Sequence, residues 1–357
     1  MKFMAGIFLL VMVLIGSLWF GSQYLLQQPL QVEQPQLIEV KPGSHARSVL
    51  RQLSDMKILP EPPIGIDDID SYYWSSRIQR VGGAIRAGVY QLQVGDTLAD
   101  FWQRLSAGEQ HQFRVTLVEG QTLQQWLQRL AEQPYLQHDS ATLSATKLQQ
   151  AIAASSDWQS LEGMLFPDTY SYTAYTSDLV LLRQAYQRMQ DELQQVWQQR
   201  NDQVTVSTPY ELVILASIIE KETGVASERE LVASVFANRM RKGMRLQSDP
   251  TTIYGISDFD GNLTRAHLRE KTPFNTYRID GLPPTPIAMP GLASLQAAAA
   301  PIASDYYYFV ANGKGEHVFS ETLQQHNRAV NRYQRGMMSE DNDVTHHDVN
   351  NKDSDER

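Results

Sequence analysis

The sequence predicts an α+β fold with a single N-terminal transmembrane helix, a small α+β subdomain and a larger α+β domain. The chain opens on a long apolar segment, and short amphipathic helices then follow strand-like residues and glycine turns. Near the middle, a buried helix ends abruptly in charged residues. The predicted parts are the anchor (1–26), a linker (27–36), the small subdomain (37–115), the larger domain (116–338) and a disordered polar tail (339–357).

The first segment is an uncharged, mostly apolar run from Phe3 to Phe20, preceded by Lys2. As a helix it is just long enough to cross a hydrocarbon core of roughly 30 Å. A cleaved signal peptide is the alternative, but its apolar region is normally shorter, and Ser22–Tyr24 is a poor cleavage site. Because Lys2 and the α-amino group are the nearby cations, we expect a cytoplasmic N-terminus, an uncleaved inner-membrane anchor and a periplasmic remainder.

Composition excludes several function classes. The net charge of -9 argues against nucleic-acid binding, since no basic stripe is present to neutralise phosphates. With no cysteine, the chain has no disulfide, thiolate metal site or thiol nucleophile. The sequence also lacks a Gly-x-Ser-x-Gly elbow, a helical zinc-binding His pair, a Walker loop and a dinucleotide fingerprint. Carboxylate catalysis remains.

A short pattern recurs three times after the Gln- and Pro-rich linker. It begins at Val40, Val94 and Val118, and each copy has a glycine turn, a Ser or Thr suited to cap a helix, and an amphipathic helix. The apolar faces carry Val49, Leu50 and Leu53, then Phe101, Trp102 and Leu105, then Trp126, Leu127 and Leu130. The pattern resembles LysM, a small module that binds amino-sugar polymers. The alternative is that Gly and Thr merely start a helix.

Aromatic side chains in this part of the chain have two interpretations. They could stack on sugar rings or fill the core, and they are Tyr72, Tyr73, Trp74, Tyr90, Trp102 and Trp126.

The larger domain is predicted to alternate helices with turns. The segment Ser227–Glu230 has the pattern of a capping box and predicts the start of a helix over Leu231–Arg241. The other elements are a turn and extended segment within Leu161–Tyr170, a helix over Val180–Arg200, a Pro-rich loop at 283–291, a helix over Leu295–Ala300 and a hairpin of Tyr306–Val310 with His317–Ser320.

The candidate catalytic residue is Glu220. It follows the apolar run Leu212–Ile219, which predicts a buried helix, and a carboxylate there costs free energy unless it is paired or used. Glu222 points about 200° away on a helix, so the two acids cannot face each other. We expect one to face a cleft and the other solvent. A surface Glu-Lys-Glu cluster that closes the helix is the equally weighted alternative.

Several stretches of the chain together match one family. The chain closely resembles the endolytic murein transglycosylases, the YceG-like family, over nearly its whole length to about Tyr333. The matching stretches are 161–170, 215–222, 226–229, 235–239, 246–251, 275–277, 281–284, and His317 with Phe319 and Ser320. Met289 departs from the pattern, because relatives often carry Asn there.

The resemblance implies cleavage between N-acetylmuramic acid and N-acetylglucosamine within a glycan strand, with a 1,6-anhydro end as product. By position Glu220 matches the family's catalytic glutamate, which would act as general acid and base. No cofactor or metal is implied. The implied partners are peptidoglycan glycan strands, the membrane and peptidoglycan synthases, with strand termination or trimming during wall synthesis as the role. Asp249, Asn275, Tyr277, Tyr254 and Glu162 are candidate substrate-binding residues, each with a structural alternative.

Two other functions stay open. The extra acids Glu162, Glu222 and Asp249 could serve a muramidase-type hydrolase, which usually needs two carboxylates. The repeats and the anchor could instead belong to a peptidoglycan-binding scaffold without enzymatic activity.

Overall fold

The computed structural model describes residues 2–62, 68–155 and 158–335. The predicted polar tail, 339–357, therefore lies outside the described residues. The chain divides into two compact units. Unit 1 runs to Val115 and also takes in Gln133–Gln137 and Ser171–Ser177, and unit 2 contains Thr116–Glu132, His138–Tyr170 and the described chain from Asp178 onward.

Unit 1 is built on a two-stranded antiparallel sheet flanked by helices. Its elements are α1 (Lys2–Leu26), β1 (Gln36–Val40), α2 (Ala46–Asp55), α3 (Asp68–Ile78), β2 (Gly88–Leu92) and α4 (Leu98–Ala107). Strand β1 pairs with β2, with Ile38 opposite Tyr90. Thr97 caps α4 as predicted, but the cap of α2 is His45 and not the hydroxyl of Ser44. The reason is that His45 Nδ1 accepts the backbone N–H of Ser48.

Aromatic side chains fill much of the core of unit 1. Tyr72, Tyr90 and Trp102 are fully buried, so they cannot stack on a sugar, and the core interpretation is confirmed for them. Trp102 also donates a hydrogen bond of 3.0 Å from its indole to Ser76 on α3. Trp74 differs, because 59% of it is exposed.

The last turn of α1 belongs to the same core. Leu25 and Leu26 are buried there together with Leu30 and Val32, which follow in the linker. Among the described residues, one helix, Phe3–Leu26, is long and apolar enough to cross a membrane. Its most apolar stretch is not buried within the protein. The apolar N-terminal helix predicted from sequence is therefore present, and its end is tied to the folded unit.

Two strands, β3 (Phe113–Leu117) and β4 (Asp168–Tyr172), form a second two-stranded sheet, and the division between the units falls within both. The remaining elements belong to unit 2. They are α5 (Leu123–Ala131), α6 (Ala145–Ala151), α7 (Asp178–Gln198), α8 (Pro209–Glu222), α9 (Arg229–Arg241), α10 (Asp249–Tyr254), α11 (Leu292–Ala299), β5 (Tyr308–Ala311), β6 (His317–Ser320) and α12 (Leu323–Val330).

Helix α8 is the centre of unit 2. Thr208 caps it, Pro209 occupies its first turn, and every residue from Leu212 to Ile219 is buried as predicted. It packs against α7, α9, α10 and α11. Surrounding it with helices explains the unbroken apolar run, since an exposed face would need polar residues. The hairpin of β5 and β6 is also confirmed.

One local prediction is wrong. Ser227–Glu230 does not form a capping box, because residues Ala226–Glu228 form a 3-10 turn and α9 starts at Arg229 without a side-chain cap. Glu228 is instead drawn to β6, where it binds His317.

Candidate active site

The C-terminal end of α8 carries two acids to different surroundings. Glu220 reaches the loop before α11 and the first turn of that helix. Its Oε2 accepts the backbone N–H of Gly291 at 3.1 Å and the hydroxyl of Ser294 at 2.6 Å. Ser294 is fully buried, so this carboxylate is fixed by two donors from one neighbouring segment.

A second carboxylate, Glu119, lies beside Glu220. A Cβ on Gly291 would clash with Oε2 of Glu119 and would lie 3.5 Å from Oε2 of Glu220, so both carboxylates flank this glycine. Burial raises the pKa of Glu119, the charge of Glu220 raises it further, and Arg229 opposes both. Only a residue without a side chain allows both acids to approach this backbone.

Glu222 instead lines a cleft of about 520 Å³. The cleft is also lined by Arg239, Asp249, Tyr277 and His317, together with Tyr308 and residues of α12. Ser248, which is buried, donates its hydroxyl to Oε1 of Glu222. The sequence predicted one acid toward a cleft and one toward solvent. The acid in this cleft is Glu222, whereas the sequence favoured Glu220 as the candidate catalytic residue.

The surroundings of Glu222 favour its protonated form. Burial raises the pKa of Glu222 to about 7, and the nearby charge of Asp249 adds to the rise. The hydrogen bond from Ser248 and the charges of His317 and Arg239 act in the opposite direction. A carboxyl group with a pKa near neutrality can both give and take a proton at physiological pH.

His317 is held in the cleft by a buried carboxylate. Its backbone N–H donates to Oε1 of Glu228 at 2.7 Å, and its Nδ1 lies 2.8 Å from Oε2 of the same residue. Because Glu228 engages both the backbone N–H and Nδ1 of His317, the orientation of the ring is set. The imidazole is thus a fixed group facing the same cleft as Glu222.

Two of the predicted substrate-binding residues lie in this cleft, Asp249 and Tyr277. The phenol of Tyr277 donates a hydrogen bond of 2.6 Å to Oδ1 of Asp249. Asp249 is the first residue of α10, and Ser248 before it is the donor to Glu222. The Leu246–Thr251 motif therefore supplies two groups of one site.

Asn275 has a structural position. It is fully buried, and its amide donates to the carbonyls of His267 and Glu270 at 3.1 and 2.6 Å. Its Oδ1 accepts the hydroxyl of Thr252 and the backbone N–H of Tyr277. Its polar side-chain atoms are thus engaged within the protein, by residues that lie outside the Pro-rich loop.

Glu162 and Tyr254 form a separate buried pair. Oε1 of Glu162 accepts the backbone N–H of Leu123 at 2.9 Å, and Oε2 accepts the phenol of Tyr254 at 3.1 Å. Burial raises the pKa of Glu162 to about 7, and these hydrogen bonds partly oppose it. Neither residue lines the cleft that contains Glu222.

Sequence reasoning missed several residues of the two acidic sites. Glu119 lies in the third repeat, where the pattern consists of the glycine turn and the capping threonine and gives no role to the acid. Ser248, Glu228 and Arg239 all fall in stretches that match the family, but the spacing gives no sign that they meet. Arg239 is held by the carbonyls of Tyr307 and Leu246, and such long-range contacts have no local pattern.

Comparison with known proteins decides the family. The model of the YceG-like family matches residues 38–332. The chain belongs to the YceG-like family. The endolytic murein transglycosylase of Bacillus subtilis (strain 168) is 32% identical over 263 residues, which cover 70% of this chain and 73% of the relative.

Other members of the family agree with this assignment. The endolytic murein transglycosylase of Streptococcus pneumoniae (strain D39) is 28% identical over 279 residues, 69% of this chain but only 50% of that longer relative. The crystal structure of a YceG-like protein from Listeria monocytogenes superposes with a TM-score of 0.52 at 28% identity. It covers 83% of this chain and 99% of its own length.

Proposed function

We propose that this YceG-like protein is an endolytic murein transglycosylase that cuts glycan strands of peptidoglycan internally. The support is the name carried by its relatives, one of which is matched over most of both chains. The proposed bond lies between N-acetylmuramic acid and N-acetylglucosamine. The proposed product is a 1,6-anhydro-N-acetylmuramic acid end, which requires no cofactor.

We assign the general acid and base to Glu222 and not to Glu220, which the sequence favoured. The observation that carries this assignment is the position of Glu222 in a cleft of about 520 Å³ with a pKa near 7. Glu220 has its Oε2 engaged by two protein donors at Gly291 and Ser294. A group that must exchange protons with a substrate needs access to the cleft.

One acid is enough for this reaction. Protonated Glu222 gives its proton to the glycosidic oxygen as the bond to the anomeric carbon breaks. The 6-hydroxyl of the same muramic acid residue then bonds to that carbon, and its proton passes to the Glu222 carboxylate. The overall reaction neither consumes nor releases water, and Glu222 returns to its starting protonated state. Intramolecular attack gains the advantage of proximity.

The other groups of the cleft support this role. The charges of His317 and Arg239 lower the pKa of Glu222, whereas the charge of Asp249 raises it. Glu228 fixes the position of His317. We propose that Asp249 and Tyr277, joined by their hydrogen bond, contact sugar hydroxyl or acetamido groups. Asn275, Glu162 and Tyr254 support the surrounding structure.

A muramidase-type hydrolase is the second candidate, because Asp249 shares the cleft with Glu222. Two carboxylates could activate a water molecule. Mass spectrometry of glycan fragments from purified sacculi separates the two reactions. Transglycosylation gives anhydro ends, whereas hydrolysis gives reducing ends that are heavier by one water. Reducing ends as the main product would overturn the proposed reaction.

A non-enzymatic scaffold is the third candidate, motivated by the LysM-like repeats and the apolar helix. It predicts that Glu222→Gln retains full function in cells and retains binding to sacculi. Loss of function together with intact binding would support the enzyme. Peptidoglycan synthases are proposed partners whether the protein is an enzyme or a scaffold.

We further propose that α1 is an uncleaved membrane anchor with a cytoplasmic N-terminus, which leaves the rest of unit 1 and all of unit 2 on the outer side of the cytoplasmic membrane. Leu25 and Leu26 at the end of α1 are core residues of unit 1. Cleavage near Ser22 would remove Trp19, whose carbonyl accepts the amide of Gln79 just beyond α3. Retention of an N-terminal epitope tag in the membrane fraction tests the anchor.

A further inference from the structure

Helix α3 lies against the part of α1 that would sit inside a bilayer. The amide of Gln79, just beyond α3, donates to the carbonyl of Trp19 at 3.0 Å and to Oγ of Ser22 at 2.7 Å. Ser22 is buried. These contacts attach the C-terminal end of α3 to α1 well before α1 ends at Leu26.

The depth of this contact follows from helix geometry. At a rise of about 1.5 Å per residue, about 20 residues cover a hydrocarbon core of about 30 Å. A span that starts at Phe3 therefore ends near Ser22. Leu14 and Leu18 lie within that span, and they line a groove together with residues of α3.

Between the two helices lies an apolar groove of about 470 Å³. Leu14, Leu18 and Leu25 line it from α1, and Trp74 and Ile78 line it from α3. Trp74 is 59% exposed on the rim. One wall of the groove thus lies at hydrocarbon depth, where lipid tails are the available apolar material.

Polar and aromatic residues around the groove fit a membrane interface. Tyr24 on α1 and Trp74 on α3 are both exposed aromatic residues, a type enriched at the level of lipid headgroups. Arg77 and Arg80 are exposed at the end of α3, where long cationic side chains can reach phosphates.

We propose that α3 is a membrane-docking element. Trp74 and Ile78 enter the outer leaflet, a phospholipid acyl chain fills the groove between α1 and α3, and Arg77 and Arg80 contact headgroup phosphates. Unit 1 is then held against the bilayer by a surface in addition to the single helix. The inference rests on the proposed anchor but not on the proposed enzymatic reaction.

The absence of cysteine from the chain allows a direct test. Single variants Trp74→Cys and Ile78→Cys of the full-length protein are labelled with an environment-sensitive dye in phosphatidylethanolamine and phosphatidylglycerol vesicles. Some of the lipids carry a nitroxide on the acyl chain. Leu10→Cys reports whether α1 spans the bilayer. Gln103→Cys is the matched control, because Gln103 lies on α4. Helix α4 contacts α3 through Ser76, which is about 200° around α3 from Trp74 and Ile78.

The expected result is strong quenching at positions 74, 78 and 10 and little at 103. Quenching at position 10 alone would overturn the docking of α3 while leaving the anchor intact. No quenching at position 10 would overturn the anchor and with it this inference. Disulfide-linked dimers of the unlabelled Trp74→Cys protein after addition of a mild oxidant, with no lipid quenching of the labelled protein, would show that a second copy occupies the groove and would overturn the lipid assignment.

Discussion

Glu220 and Glu222, two residues apart on α8, present their carboxyl groups to different parts of unit 2. Glu220 accepts hydrogen bonds from Gly291 and Ser294 beside α11, whereas Glu222 accepts one from Ser248 and lines the cleft. This arrangement follows from helix geometry, because side chains two residues apart on an α-helix point about 200° away from each other. It makes the two acids separable by mutation.

Glu222→Gln should reduce the release of anhydro-ended glycans by roughly 10²–10⁴-fold in kcat. Glutamine keeps the size of the side chain but cannot give a proton to the glycosidic oxygen. Glu220→Gln should lose no more than about tenfold, equal to about 1.4 kcal/mol, because its amide oxygen can still accept from Gly291 and Ser294. Turnover of sacculi measures both, with thermal unfolding as the check on folding. The opposite ranking would return the assignment to Glu220.

The pH dependence of kcat/KM should reveal the charges around Glu222. Because the acid must start protonated and its pKa is about 7, activity should fall as the pH rises above about 7. Asp249 raises this pKa, so Asp249→Asn should move the alkaline limb to lower pH. His317 lowers it, so His317→Gln should move the limb to higher pH. Shifts in the same direction, or no shift, would contradict the proposed role of these groups.

Glu162 should make the protein less stable at alkaline pH. Its pKa rises from 4.5 to about 7 on folding, so the folded state binds the proton more tightly than the unfolded state. Stability from this group is complete below about pH 4.5 and is lost as the pH rises through about 7, by roughly 3 kcal/mol. Denaturant unfolding at pH 5 and pH 8 measures the loss. Glu162→Gln should reduce it, and an unchanged difference would exclude Glu162 as its source.

Asn275→Ala should destabilise the protein and affect activity mainly through that loss. The variant removes the hydrogen bonds of the buried Asn275 amide to His267, Glu270, Thr252 and Tyr277, which costs roughly 2–4 kcal/mol. Tyr277→Phe is the matched control in the same loop. It removes only the hydrogen bond to Asp249 and should change KM more than the unfolding midpoint. A fully stable but inactive Asn275→Ala would instead indicate direct substrate contact.

Local patterns predicted the helices well. The apolar run Leu212–Ile219 is the buried body of α8, and the faces of α2 and α4 are buried as their spacing predicted. These predictions succeeded because period and capping depend on residues within one turn of each other. The capping box at Ser227–Glu230 failed because Ala226–Glu228 form a 3-10 turn and α9 starts at Arg229. Glu228 in that turn binds His317, which lies far along the chain.

The sequence by itself determined that α8 would be buried, that it would end in acids, that the two acids would diverge, and that the chain is YceG-like. Only the tertiary structure decided which acid faces the cleft. That choice depends on which loops close around the helix end: Gly291 and Ser294 cover Glu220, while Ser248, Asp249 and His317 surround Glu222. Helical periodicity gives the angle between two side chains, but the partner on each side comes from residues distant in sequence.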